Sequence, residues 1–222
     1  MTEIPKMMTN LSEIKESILL NLLKDSVLSN YCDSSQLNIP MPYPGLEDKL
    51  KAIVLGADPT HPHPEKELKY VFGLENEKSP YFNSILFNLN FLGLGLENIY
   101  VQNLCPNYFK KVTDENDGYI NIAEKYWLPV IKMELDSQFN PDVPVFVTAW
   151  KPLIAIAPEA AKYQNKKISI YENAIVFKNN KLDRPVIAFF RGGWRKGFNG
   201  YYDLRYHTFK RYVSAIQEQL YH

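Results

Sequence analysis

KAIVLGADPTHPHP, Lys51 to Pro64, is the stretch from which the rest of the chain is read. Ala52, Ile53, Val54 and Leu55 form a continuous apolar run of strand length, which suits a parallel strand covered on both faces. Gly56 lets the backbone turn tightly, and Pro59 and Pro62 stiffen the loop beyond it. Asp58 therefore falls on a constrained turn at the carboxyl end of a strand, where open α/β sheets put their ligand sites.

On the amino side, Leu11, Ile14, Ile18 and Leu22, with Leu19 and Leu23, repeat at helical spacing, and Asn10 with Glu13 reads as a capping box. An amphipathic helix over residues 10–28, packed on the sheet, is expected. Residues 31–49 carry Pro40, Pro42, Pro44 and Gly45 and read as an extended connection. On the carboxyl side, the short apolar run Lys69 to Leu74 brings Phe72 beside the loop. Ser79 and Pro80 start a helix through about Leu92, proline being tolerated in a first turn that lacks a partner for its N–H.

Asn98 to Leu104 reads as a second central strand, with Asn103 near its carboxyl end on the same rim as Asp58. A helix from Tyr119 to Leu135 should kink or break at Pro129. Val143 to Thr148 is a third strand, and Trp150 and Pro152 lead into a short helix. Ile168 to Tyr171 and Ala174 to Phe177 look like a hairpin, Pro185 to Phe190 a last central strand and Leu204 to Leu220 a closing helix. This alternation predicts a three-layer α/β fold, a central, mainly parallel, four-stranded sheet flanked by helices, as one domain over residues 1–222.

Composition excludes more than it selects. With 45% hydrophobic and 23% charged residues, neither a disordered chain nor a membrane protein is indicated. The 25 basic and 25 acidic side chains cancel, so affinity for nucleic acid has to come from a local patch. Cys32 and Cys105 lie far apart and lack metal-ligand spacing, which fits a reduced, cytoplasmic protein. No signal peptide, no membrane span, no cofactor and a monomeric state are expected.

GADPTH, Gly56 to His61, resembles the GQDPYH motif of uracil-DNA glycosylases. Phe72 in YVFGL, the Ser79-Pro80 helix start and the strand ending in Asn103 then come in the order of that family's stacking Phe, PPSL-type helix start and base-reading Asn. The resemblance runs from about residue 40 through most of the chain. It implies that Asp58 positions the attacking water, that Phe72 stacks on the base, and that Asn103 reads its edge. Ala57, Thr60 and His61 complete the base-binding loop, with backbone N–H groups near Ala57 and Asp58 aimed at the base. Thr60 stands where the family has a Tyr that walls off the base's methyl position. In that family a proline-bearing segment near residues 40–44 contacts DNA; here a plain surface loop is the other reading.

The family's HPSP motif after the last strand is absent; the chain reads FFRGGWRKGFNGYY from Phe189 to Tyr202. Arg191 falls where the motif's His would be, and a guanidinium can neutralise a developing oxyanion through a charged hydrogen bond. Trp194, Arg195, Lys196, Phe198 and Arg205 interleave rings and positive charge, a mixture suited to holding a DNA backbone, single- or double-stranded. The bland alternatives are a turn cap for Asp58, a core ring for Phe72, a loop anchor for Asn103 and a solvated basic helix face for the last segment. Two other functions compete with the glycosylase: a base- or nucleic-acid-binding protein on the same fold without catalysis, and a small-molecule or metal-dependent hydrolase using Asp58, His61 and His63. His207 is the one further obvious ligand for the latter, and no metal site is expected.

Overall fold

The apolar run after Lys51 forms strand β1 (Ala52–Gly56), with all five residues buried. The computed structural model describes residues 6–59, 68–75, 80–166, 175–189, 211 and 213–218. On one side β1 pairs in parallel with β2 (Ile99–Asn103), on the other with β3 (Val145–Val147). β5 (Val186–Ala188) continues the parallel sheet beyond β3, and β4 (Val176–Phe177) pairs antiparallel with β5, giving the order β2-β1-β3-β5-β4. Among the described residues the sheet is thus mainly parallel, with one strand more than the four expected.

The extra strand has a local cause. Asn180 donates from Nδ2 to the carbonyls of Phe177 (2.7 Å) and Arg184 (2.6 Å), while its Oδ1 accepts the N–H of Leu182 (2.9 Å). One buried amide therefore closes the turn that folds Val176 and Phe177 back on β5. Residues 168–171, the first arm of the expected hairpin, lie outside the described residues.

Alternate strand residues feed two cores. Ile53, Leu55, Tyr100, Val145, Val147 and Val186 join Leu19 and Leu22 of α1 (Lys6–Lys24), Ile122 of α3 (Tyr119–Ile122), Ile131 of α4 (Leu128–Gln138) and Leu153 of α5 (Trp150–Ile156). Ala52, Val54, Ile99, Val101, Phe146 and Ile187 join Phe82, Ile85 and Leu89 of α2 (Pro80–Asn90), and Val213 and Ile216 of the helical residues 213–218. Helices therefore cover both faces, and each fully buried aliphatic side chain contributes about 1.5–3 kcal/mol.

The N-terminal helix departs from expectation, whereas the break expected at Pro129 is found. Helix α1 already runs from Lys6, so Asn10 lies inside it instead of at its start, and it stops at Lys24 rather than residue 28. It stops because the Asp25 carboxylate receives the N–H groups of Val27 (3.0 Å) and Leu28 (2.9 Å), starting a 3-10 turn, Leu28–Tyr31. The helix expected over 119–135 is interrupted by a π turn, Ala123–Trp127, immediately before Pro129 in the first turn of α4; proline has no N–H to continue the regular ladder. The connection over 31–49 is extended around its prolines and ends in a 3-10 turn, Glu47–Lys49, and Tyr43 exchanges both backbone hydrogen bonds with Val101 (2.9 Å each), shielding the outer edge of β2.

Candidate functional site at the carboxyl ends of strands β1 and β2

The strand order marks a place for a ligand. From β1 the chain moves outward to β2 and then crosses back to β3 on the other side, so the topological switch point, where such sheets place their ligands, lies beyond the carboxyl ends of β1 and β3. Asp58 follows β1, Thr148 follows β3, and Asn103 ends β2. Gly56 and Asn103 are register partners.

Phe72 arrives at the same point from a different segment. A β-carbon built on Gly56 would collide with both Phe72 Cζ and Asn103 Oδ1, and would lie 2.9 Å from Phe72 Cε2. A glycine is therefore required there, and over it an aromatic ring and a carboxamide meet. Phe72 occupies the left-handed backbone region (φ 59°, ψ 10°), followed by Gly73 at φ 66°. Such a conformation costs a phenylalanine about 1–3 kcal/mol and persists where the surroundings impose it. Here the half-buried ring packs on Phe82, centroids 5.3 Å apart and tilted by 56°.

Asn103 is 1% exposed, and neither its Oδ1 nor its Nδ2 has a hydrogen-bond partner among the described residues. Burying an amide unpaired costs about 1–3 kcal/mol. A carboxamide with donor and acceptor both open, beside a ring, is suited to a planar ligand whose edge carries the complementary acceptor and donor.

The Asp58 turn is held from below. The Ala57 carbonyl accepts the N–H of Cys105 (2.9 Å) and the hydroxyl of Tyr119 (2.9 Å), and Thr113 Oγ1 donates to Asp58 Oδ1. Burial pushes the Cys105 thiol and the Tyr119 phenol well up, and the negative charge of Asp58 adds to both shifts. Both groups are therefore neutral at physiological pH, so Tyr119 keeps the proton that it gives to Ala57. Nearby, Lys151, at the start of α5, donates to the Asn116 carbonyl (2.7 Å).

Four of the candidate residues thus converge: Ala57, Asp58, Phe72 and Asn103. Thr60, His61, Arg191, Trp194, Arg195, Lys196, Phe198 and Arg205 lie outside the described residues, as do His63 and His207. Among the described residues no group of three His, Cys, Asp or Glu side chains is arranged to hold a metal ion. Likewise, no described helix is long and apolar enough to cross a membrane. Thr113 and Tyr119, which hold the Asp58 turn, do not stand out in the sequence: Tyr119 reads as a helix start, and Thr113 is an ordinary loop threonine until the fold brings it across 55 residues.

Fold and site together define an α/β protein with a candidate ligand site at the carboxyl rim of a mainly parallel sheet. No protein-family model matches this chain, and no curated protein matches it.

Proposed function

We propose that this protein binds DNA, as a monomer and in the cytoplasm, and hydrolyses the N-glycosidic bond of uracil or a related damaged base. In this reading it is a divergent uracil-DNA glycosylase-like protein that lacks the HPSP motif. A water oxygen held by Asp58 bonds to the sugar C1′ as the C1′–N bond breaks; the electron pair leaves with the base, and the proton the water sheds passes by way of Asp58 to solvent or to the departed base nitrogen. Asp58 also stabilises the cation-like sugar, Phe72 stacks on the flipped base, and Asn103 pairs with its edge. Arg191 neutralises the charge on the departing base, and Trp194 to Arg205 grip the strand.

The observation that carries this reading is the meeting of the Phe72 ring and the buried, unpaired Asn103 amide over Gly56, two residues before Asp58. A ring face and an open amide are the two features needed to read a nucleobase. The test uses labelled oligonucleotides carrying uracil, single-stranded and paired, treated with alkali to reveal abasic sites. Cleavage by the wild type that falls at least ~100-fold in Asp58→Asn is expected. The FFRGG sequence in place of HPSP favours one second reading, a base-binding protein without turnover; tight binding of uracil-containing DNA with no abasic sites would establish it instead.

A further inference from the structure

We propose that Thr113 is the positioning residue for Asp58, an inference that rests on the reaction assigned above. Thr113 opens a 3-10 turn, Thr113–Glu115, far from β1 in sequence, and its hydroxyl donates to Asp58 Oδ1. Six residues on, the Tyr119 hydroxyl holds the Ala57 carbonyl. One segment thus grips the turn after β1 twice, once by its main chain and once by its carboxylate.

The two contacts differ in chemistry. Tyr119 meets a carbonyl that bears no part in the reaction, whereas Thr113 meets the group that has to aim a water. An ionised carboxylate only accepts hydrogen bonds, so a hydroxyl proton directed at Oδ1 favours the charged form and sets the plane of the carboxylate. The titratable groups that face it include Cys105, after β2, and Tyr119, at the start of α3, and both are neutral. Neither brings a positive charge to Asp58; the Thr113 hydroxyl brings a directed proton. A carboxylate opposite a cation-like sugar has to stay anionic and oriented, and Thr113 serves both needs.

The test compares Thr113→Val, which keeps shape and removes the donor, with Thr113→Ser, which keeps the donor. The Asp58 carboxyl is titrated by carbon-13 NMR, its resonance assigned with Asp58→Asn, and cleavage of uracil-containing oligonucleotides is followed against pH. In Thr113→Val the Asp58 carboxyl should titrate about one pH unit higher. The acid limb of the rate profile should move with it, and kcat should fall about tenfold with KM within about twofold. Thr113→Ser should restore all three. An unchanged Asp58 titration in Thr113→Val, or equal damage in the Val and Ser variants, overturns the proposal. If the wild type cleaves nothing, the reaction fails, and the NMR titration alone still decides whether Thr113 holds Asp58.

Discussion

Two buried asparagines, at opposite sides of the sheet, show how the same side chain serves structure in one place and is left open in another. Asn180, in the turn between β4 and β5, satisfies both ends of its amide with three strong bonds to its own loop. Asn103, at the end of β2, is more deeply buried and has neither end paired among the described residues. Folding alone favours the first arrangement and opposes the second, because an unpaired buried amide costs more than a paired one returns. The difference separates a residue that builds the fold from one whose amide the fold leaves open.

The structural end of this comparison extends to Arg184, whose guanidinium is buried at the C-terminus of α4 with both terminal nitrogens bonded and Nε without a partner. It donates to the carbonyls of Leu135 (3.0 Å), Phe139 (2.9 Å) and Asn140 (2.6 Å), and meets the Asp136 carboxylate at 3.1 Å. The Leu135 and Asn140 carbonyls also accept the N–H groups of Phe139 (2.9 Å) and Val143 (3.0 Å), so the guanidinium adds to those bonds, and a cation there complements the helix dipole. Arg184→Met should therefore have the largest effect on stability, a loss of about 4 kcal/mol in urea unfolding. A loss under about 1 kcal/mol would break the claim that Arg184 ties the end of α4 to the segment that follows it.

Asn180→Ala should come next, with a loss of about 3 kcal/mol, since three backbone groups lose their partner at once. Asn103→Leu should change stability by no more than about 1 kcal/mol in either direction and, under the proposed function, should reduce cleavage of uracil-containing DNA at least ~100-fold, because a site built to hydrogen-bond rejects a ligand it can no longer pair. Equal destabilisation by the two changes, measured by the same denaturation assay, would erase the distinction between them.

The smallest effect concerns Asp25, a carboxylate as fully paired as Asn180. Asp25 accepts the backbone N–H groups of Leu28 and Val27, the ammonium of Lys125 (2.7 Å) and the hydroxyl of Tyr126 (2.8 Å). The Leu28 amide, then Lys125, hold its carboxyl well below the usual carboxylate range. A carboxylate depressed on folding adds stability above its unfolded value, near pH 4, and that contribution is lost as pH falls further. Asp25→Asn should flatten the slope of stability against pH below about 4 and leave the slope between about pH 7 and 8 unchanged. An unchanged acid slope would show that Asp25 is no more saturated than an ordinary surface carboxylate.

Much of the architecture is legible along the chain, for reasons particular to each element. β1 is a continuous apolar run because both of its faces are covered, and Pro129 announces an irregular helix because it has no N–H. Asn103 closes β2 and Asp58 lies two residues beyond β1, and they share one rim because the two strands pair in parallel with Gly56 opposite Asn103. The N-terminal helix misleads, since Asn10 and Glu13 match a cap pattern while the helix begins four residues before Asn10. Val176 and Phe177 fall within the expected hairpin arm Ala174 to Phe177, but their pairing with β5 as a fifth strand of the main sheet is a long-range contact that two residues of pattern cannot announce.

Periodicity, glycine and proline act within a few residues of chain, so the strands, the helices and the loop that bears Asp58 are written locally in the amino-acid order. Contact across distance is not: Phe72 against Gly56 and Asn103, and Thr113 against Asp58, come only with the folded chain. Those pairings depend on the strand order and on a left-handed residue at Phe72, and no local propensity encodes either one.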